Sequence, residues 1–168
     1  MQNIYLSPHF TLAEMCESQT AKKHGIANIP SSEAVTNMRR LCEGCLEPLR
    51  EALGLPIIIT SGYRTKALNN HILHSARKSQ HVSGQAADLY IGSGLTGQDS
   101  GLSRMELLIK AFRQIILDED IDYDQLILYP TFIHVSYVSR TANRHKLTKA
   151  NGHGTYCGLS REQALAID

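Results

Sequence analysis

Ser79-Gln80-His81-Val82-Ser83-Gly84-Gln85-Ala86-Ala87-Asp88 is the most informative stretch of the chain. It opens with an imidazole at a loop, His81. Gly84 permits a tight turn there. The run from Gln85 to Ile91 then reads as a strand. Asp88 lies on that strand between apolar Ala87 and Leu89, so its carboxylate is either buried with a partner or facing a site. Small residues at Gly84, Ala86 and Ala87 let backbone pack close to it.

A second stretch with the same character follows, Phe132-Ile133-His134-Val135-Ser136-Tyr137. Alternation places Phe132, His134 and Ser136 on one face, and Ile133, Val135 and Tyr137 on the other. His134 is thus a polar group among apolar neighbours. Two imidazoles and one carboxylate make a three-ligand catalytic zinc set with a fourth position for water. Such a site acidifies the water and polarises a carbonyl, which amide hydrolysis requires. A histidine on a strand also reads as a core residue satisfied by hydrogen bonds, and spacing alone does not bring the two stretches together.

Around these stretches the chain alternates helices and strands. Thr11 N-caps a short helix over Phe10 to Met15. A longer helix is expected from Ser32 to Leu53, after Pro30 and ended by Gly54. Its apolar residues Val35, Met38, Cys42, Cys45, Leu49 and Ala52 recur every three or four positions. Pro48 should bend it, because its ring meets the carbonyl of Gly44. Pro56 to Thr60 reads as a buried strand, Lys66 to Leu73 as a short helix, and Gly92 to Gly101 as a Gly/Ser-rich loop. Ser103 and Glu106 have capping-box spacing for a helix reaching Leu117. Asp124 to Tyr129 and Phe132 to Tyr137 form a hairpin across Pro130-Thr131. Asn143 to Tyr156 reads as basic and irregular, and Ser160 to Ile167 as a last short helix. With no βαβ rhythm, the pattern predicts an α+β fold: a small antiparallel sheet flanked by helices.

Composition narrows the function classes. A chain of 168 residues with 42% hydrophobic and 20% charged residues suits one domain, residues 1–168. The net charge of +1 argues against a sequence-independent grip on nucleic acid or on a membrane surface. Arg140, Arg144, His145, Lys146 and Lys149 lack interleaved aromatics and read as a solvated edge. No run approaches the ~18 apolar residues of a membrane helix. Met1 to Leu6 shows no signal-peptide pattern, which predicts a cytoplasmic protein that reaches a cell wall only if released by another route. Of the four cysteines, Cys42 and Cys45 form a CxxC on the apolar face of a helix and read as buried thiols. Cys16 and Cys157 complete the set, and no disulfide framework is expected.

Ser61-Gly62-Tyr63-Arg64, Leu68-Asn69, the His81 to Asp88 motif, Asp124-Gln125-Leu126-Ile127 and Ile133-His134-Val135-Ser136 resemble, in order and spacing, the M15 family of zinc D-Ala-D-Ala carboxypeptidases, and within it the M15A branch. The likeness runs from about Phe10 to Tyr137. It implies Zn2+ held by His81, Asp88 and His134, with Arg64 steadying the substrate carbonyl and the developing oxyanion. It implies the small α+β fold shared with the hedgehog signalling domain, and a peptidoglycan peptide as substrate. Ser79 and Gln80 would orient His81, and Asn69 would organise its own loop. One departure stands out. Many relatives carry a glutamate shortly before the last histidine as general base, whereas Leu128-Tyr129-Pro130-Thr131 contains no acid. Asp124, Tyr129, His71 and His74 are the alternative candidates for that role. If the strand is regular, Asp124 shares a face with Leu126 and Leu128 while Tyr129 points the other way. Peptide-bond hydrolysis in bacterial cell-wall peptides is the expected activity. A zinc-bearing cell-wall binding module, or a phage-like structural protein reusing the fold, is the alternative.

Overall fold

The computed structural model describes residues 4–73, 75–92, 101–151 and 153–168. His74, and residues 93–100 of the Gly/Ser-rich loop, lie outside the described residues. The chain forms helices α1 (Leu12–Met15), α2 (Gln19–His24), α3 (Ser32–Leu41) and α4 (Glu47–Leu53), strand β1 (Ile57–Ser61) and helix α5 (Lys66–His71). A 3-10 turn (Gln80–Ser83), β2 (Ala86–Ile91), α6 (Arg104–Leu117), β3 (Gln125–Leu128) and β4 (Ile133–Ser136) follow, and then β5 (Lys146–Ala150), β6 (Tyr156–Leu159) and α7 (Arg161–Leu165). The six strands make one sheet in the order β1-β2-β4-β3-β5-β6. Every neighbouring pair is antiparallel except β3 with β5, which is parallel. The fold is α+β, as the sequence predicts.

Several local expectations are met by their expected causes. Thr11 accepts from the Glu14 amide at the start of α1. The Ser103–Glu106 capping box opens α6. Tyr129 N donates to Phe132 O at 3.0 Å and closes the β3–β4 hairpin. The long helix is interrupted, as its proline requires. Cys42–Leu46 takes a π-helical turn between α3 and α4, with Pro48 in the first turn of α4. The wider turn takes the Gly44 carbonyl out of the regular ladder, and it accepts from Asp122 N at 3.0 Å instead. Cys42 and Cys45 are fully buried within this turn, and desolvation pushes the Cys42 thiol up to about 12. Both behave as apolar residues, as their helical spacing implied.

One expectation needs correction, and one helix needs adding. Asn143 to Tyr156 is not irregular: it contains β5 and the start of β6. The sequence Lys146-Leu147-Thr148-Lys149-Ala150 lacks the apolar alternation of a strand, since Leu147 and Ala150 fall on opposite faces, and its strand character comes from pairing with β3 and β6. Helix α2 was not anticipated; Ser18 caps it and Gly25 ends it at φ 63°.

The sheet has two dissimilar faces. Ala87, Val135, Leu126 and Leu147 lie side by side across four strands and, with Leu89, Ile133 and Leu128, join the core. Phe112, Leu108 and Ile115 of α6 and Met38, Leu41 and Leu49 of α3 and α4 are part of the same core. The alternate residues, Asp88, His134, Ile127 and Thr148, form a parallel row on the other face. Strand alternation therefore puts both strand-borne ligand candidates on the face away from the helices.

Candidate metal centre

β2 and β4 bring the two informative stretches together. Asp88 and His134 are direct cross-strand partners, a pairing that holds side chains about 5 Å apart at the Cβ atoms. His81 arrives from the 3-10 turn. Gly84 ends that turn in the left-handed region, at φ 71°, and a Cβ there would also collide with the Ala34 carbonyl oxygen. The loop after β1 supplies the other side. A register shift between Ile59 and Ser61 sits opposite Asp88, where a bulge re-aims the chain. Gly62 passes so close to Met15 that a Cβ would strike its carbonyl oxygen. That approach lets Gly62 O accept from His81 Nδ1 at 2.7 Å, while Arg64 N donates to His81 O at 3.1 Å.

Three donor atoms converge. His134 Nδ1 lies 2.8 Å from Asp88 Oδ1, His81 Nε2 lies 3.3 Å from the same oxygen, and the two imidazole nitrogens are 3.3 Å apart. A carbonyl only accepts, so the His81 proton resides on Nδ1 and Nε2 presents a lone pair. Burial lowers the His81 pKa and keeps the ring neutral. Burial alone would raise the Asp88 carboxyl, but a positive charge on the His81 ring, were it protonated, and the hydrogen bond from His134 hold it well below the usual carboxylate range. A lone pair facing a carboxylate oxygen at this separation is repelled unless a cation lies between them. One proton on His134 satisfies one edge of the triangle; a metal ion satisfies all three. A tetrahedral ion with bonds of about 2.0–2.1 Å has ligand–ligand edges of roughly 3.3–3.4 Å, close to two of the three edges here. The donor set therefore fits a metal.

Arg64 stands beside the cluster. Its Nη2 donates to Asp88 Oδ2 at 3.0 Å and its Nε to Ser61 Oγ at 3.0 Å. The guanidinium thus holds one carboxylate oxygen and leaves the other aimed at the imidazoles. All four residues line a groove of about 870 Å³ on the open sheet face.

Tyr129 and Asp124 line the same groove. Tyr129 stacks on Phe132, and its hydroxyl lies 3.2 Å from that of Tyr156. Burial first, and then the Tyr156 hydroxyl, push its pKa above the ordinary phenol range, so it stays protonated as a hydrogen-bonding group. Asp124 lies just before β3 and departs from the regular-strand expectation: its carboxylate reaches the groove wall. It accepts from Gln80 Nε2 at 2.9 Å and from Arg144 Nε at 2.8 Å. Burial raises its pKa, but the bonds from Arg144 and Gln80 outweigh that and lower it. His71 is not brought to the site; it is exposed and its ring lies 4.2 Å from that of His24. His74 lies outside the described residues. Asn69 organises its loop as expected, donating to Ala76 O at 3.0 Å. The side chain of Gln80 does not orient His81, since it is spent on Asp124; the orienting partner is the Gly62 carbonyl. The signal in the sequence is the glycine at position 62, which the close approach to Met15 requires, but the sequence alone does not say that its carbonyl faces His81. A basic partner for Asp124 was within the sequence reading, but that it is Arg144 was not, because that depends on where β5 lies.

The fold and this cluster define an α+β protein with three donors at a groove wall that could hold a metal ion. The family model for Peptidase M15 matches residues 8–105, more than half of the 168-residue chain, and the chain belongs to that family of metal-dependent peptidases. Arg64, His81 and Asp88 fall inside the matched segment; His134 falls beyond it and joins them through the β2–β4 pairing. No curated protein matches the chain.

Proposed function

We propose that residues 1–168 form one zinc peptidase domain that hydrolyses D-Ala-D-Ala or related peptide bonds of bacterial cell-wall peptides. The observation that supports this reading is the triangle of His81 Nε2, Asp88 Oδ1 and His134 Nδ1, whose three edges a single central cation would satisfy. Two imidazoles and one carboxylate suit zinc, and zinc bound there supplies acidification of a water molecule and polarisation of a carbonyl. The chain's own residues do the rest. Arg64 orients Asp88 through one nitrogen and retains further N–H groups for a carbonyl oxygen gaining charge. The phenol of Tyr129, steadied by Tyr156, offers a hydrogen bond within the same groove. Such a protein acts on the wall once released from the cell in which it is made.

A second reading is a catalytically weak or inactive zinc-containing wall-binding or phage-like structural module. One observation favours it. The carboxylates lining the groove, among the described residues, are Asp88 and Asp124. Asp88 is a ligand candidate and Asp124 is held by Arg144, so neither is a free base. Incubating the zinc-loaded chain with a muropeptide and following D-alanine and cleaved peptide by mass spectrometry separates the readings. Release that stops with a chelator supports the peptidase. Zinc at one per chain, wall retention and no cleavage would support the module.

A further inference from the structure

The groove does not end at the metal centre. The row Asp88, His134, Ile127, Thr148, Gly158 runs straight across β2, β4, β3, β5 and β6 on one face. Thr148 stands two strands from His134, about 10 Å at ordinary strand spacing. Lys146 lies on the same face one alternation earlier, and both residues line the groove. This half is made by the two strands that the sequence did not announce.

Thr148 is only 5% exposed, yet its Oγ1 is buried without a hydrogen-bond partner. Buried hydroxyls are normally paired, so an orphan at a groove floor marks a group waiting for a ligand atom. Next to it in the row, a Cβ on Gly158 would meet nothing within 4 Å, so the space above is open. The ammonium of Lys146 is exposed and has no ion-pair partner among the described residues, and Lys78 lines the same groove. Arg144 is neutralised by Asp124, and Asp88 belongs to the metal cluster. The far half therefore carries uncompensated positive charge over an unsatisfied hydroxyl.

We propose that Thr148 and Lys146 form a subsite for a carboxylate of the bound peptide, about 10 Å from the metal centre. An extended chain advances about 3.3 Å per residue, so the carboxylate sits about three residues from the scissile bond. It is either an acidic side chain or a free α-carboxylate. The subsite rests on the peptidase reading for its substrate, but not on turnover for its test.

The test is equilibrium binding to the zinc-loaded full chain, read by fluorescence anisotropy with labelled peptides whose central bond is non-hydrolysable. One pair carries Glu or Gln three residues from that bond; a second pair ends there as a free acid or an amide. Wild type should bind the acid of at least one pair about tenfold tighter than its neutral partner, and the pair that discriminates identifies the source of the carboxylate. Lys146→Glu should bring that ratio to one or invert it. Thr148→Val, which keeps the shape and removes the hydroxyl, should reduce it severalfold. Lys149→Glu makes the same charge change on the opposite face of β5 and should leave the ratio intact. Equal binding of acid and neutral peptides by wild type, a ratio untouched by Lys146→Glu, or no binding of any peptide would overturn the subsite. Acid preference lost in Lys146→Glu, with no cleavage of the hydrolysable counterparts, would keep the subsite and sink the peptidase reading.

Discussion

Replacing His134 with alanine tests the metal centre with the least collateral damage. His81 is 3% exposed and pinned to Gly62, so its removal would disturb the fold for reasons unrelated to metal. His134 borders the open groove and its side chain remains 13% exposed. Its loss removes one of three donors and the 2.8 Å partner of Asp88 Oδ1, while Arg64 still holds Oδ2. A lost partner at a partly buried carboxylate costs about 1–3 kcal/mol, independent of metal. The metal-dependent part is separate. An ion held only by the folded state, at a free concentration 1,000 times its dissociation constant, stabilises by about 4 kcal/mol. In a chain of this size each 1 kcal/mol moves Tm by roughly 2–4 °C. Wild type should therefore lose about 8–16 °C on chelation. His134→Ala should show almost no response to chelator and should fall well below one zinc per chain by elemental analysis. A variant that keeps stoichiometric metal, or a wild-type Tm that ignores the chelator, would refute the three-ligand site.

Other consequences can be checked with the same protein. Arg64→Ala should lower kcat by about 10² or more with zinc retained; unchanged turnover would remove Arg64 from the chemistry. Tyr129→Glu should raise the rate on D-alanyl-D-alanine peptides, since a positioned acid/base adds about 10²–10⁴-fold. A pH–rate profile in which wild type is already fast and Tyr129→Glu changes nothing would place the base elsewhere. Asp124 has a depressed folded pKa, so its stabilising contribution is complete above the unfolded value near ~3.9 and is lost as pH falls through the lower folded value. The stability gap between wild type and Asp124→Asn should thus be widest near neutral pH and shrink in acid; a gap independent of pH would disprove the Arg144 pairing.

Residues close in sequence carried most of what could be anticipated. The Thr11 and Ser103 caps, the Pro130 hairpin and the alternation around Asp88 and His134 are local effects, each set by a side chain acting within a few residues of itself. They suffice for the α+β class and for marking His81, Asp88 and His134 as polar groups in apolar surroundings; grouping them with Arg64 as a set rested on the resemblance to the M15 family. Even the break at Pro48 was foreseeable, although its resolution into a π-helical turn depended on Asp122 arriving to take the Gly44 carbonyl. Only the tertiary structure decided the remainder, because those features are pairings between distant segments. β5 gains its strand identity from its parallel partner β3, which lies between it and β4, because its own residues carry no apolar alternation. The carbonyl that fixes the His81 tautomer is a backbone atom, brought into place by the close approach of Gly62 to Met15, a contact between segments distant in sequence. The far half of the groove exists because strand register sets Thr148 in line with His134, and register is a property of the folded sheet.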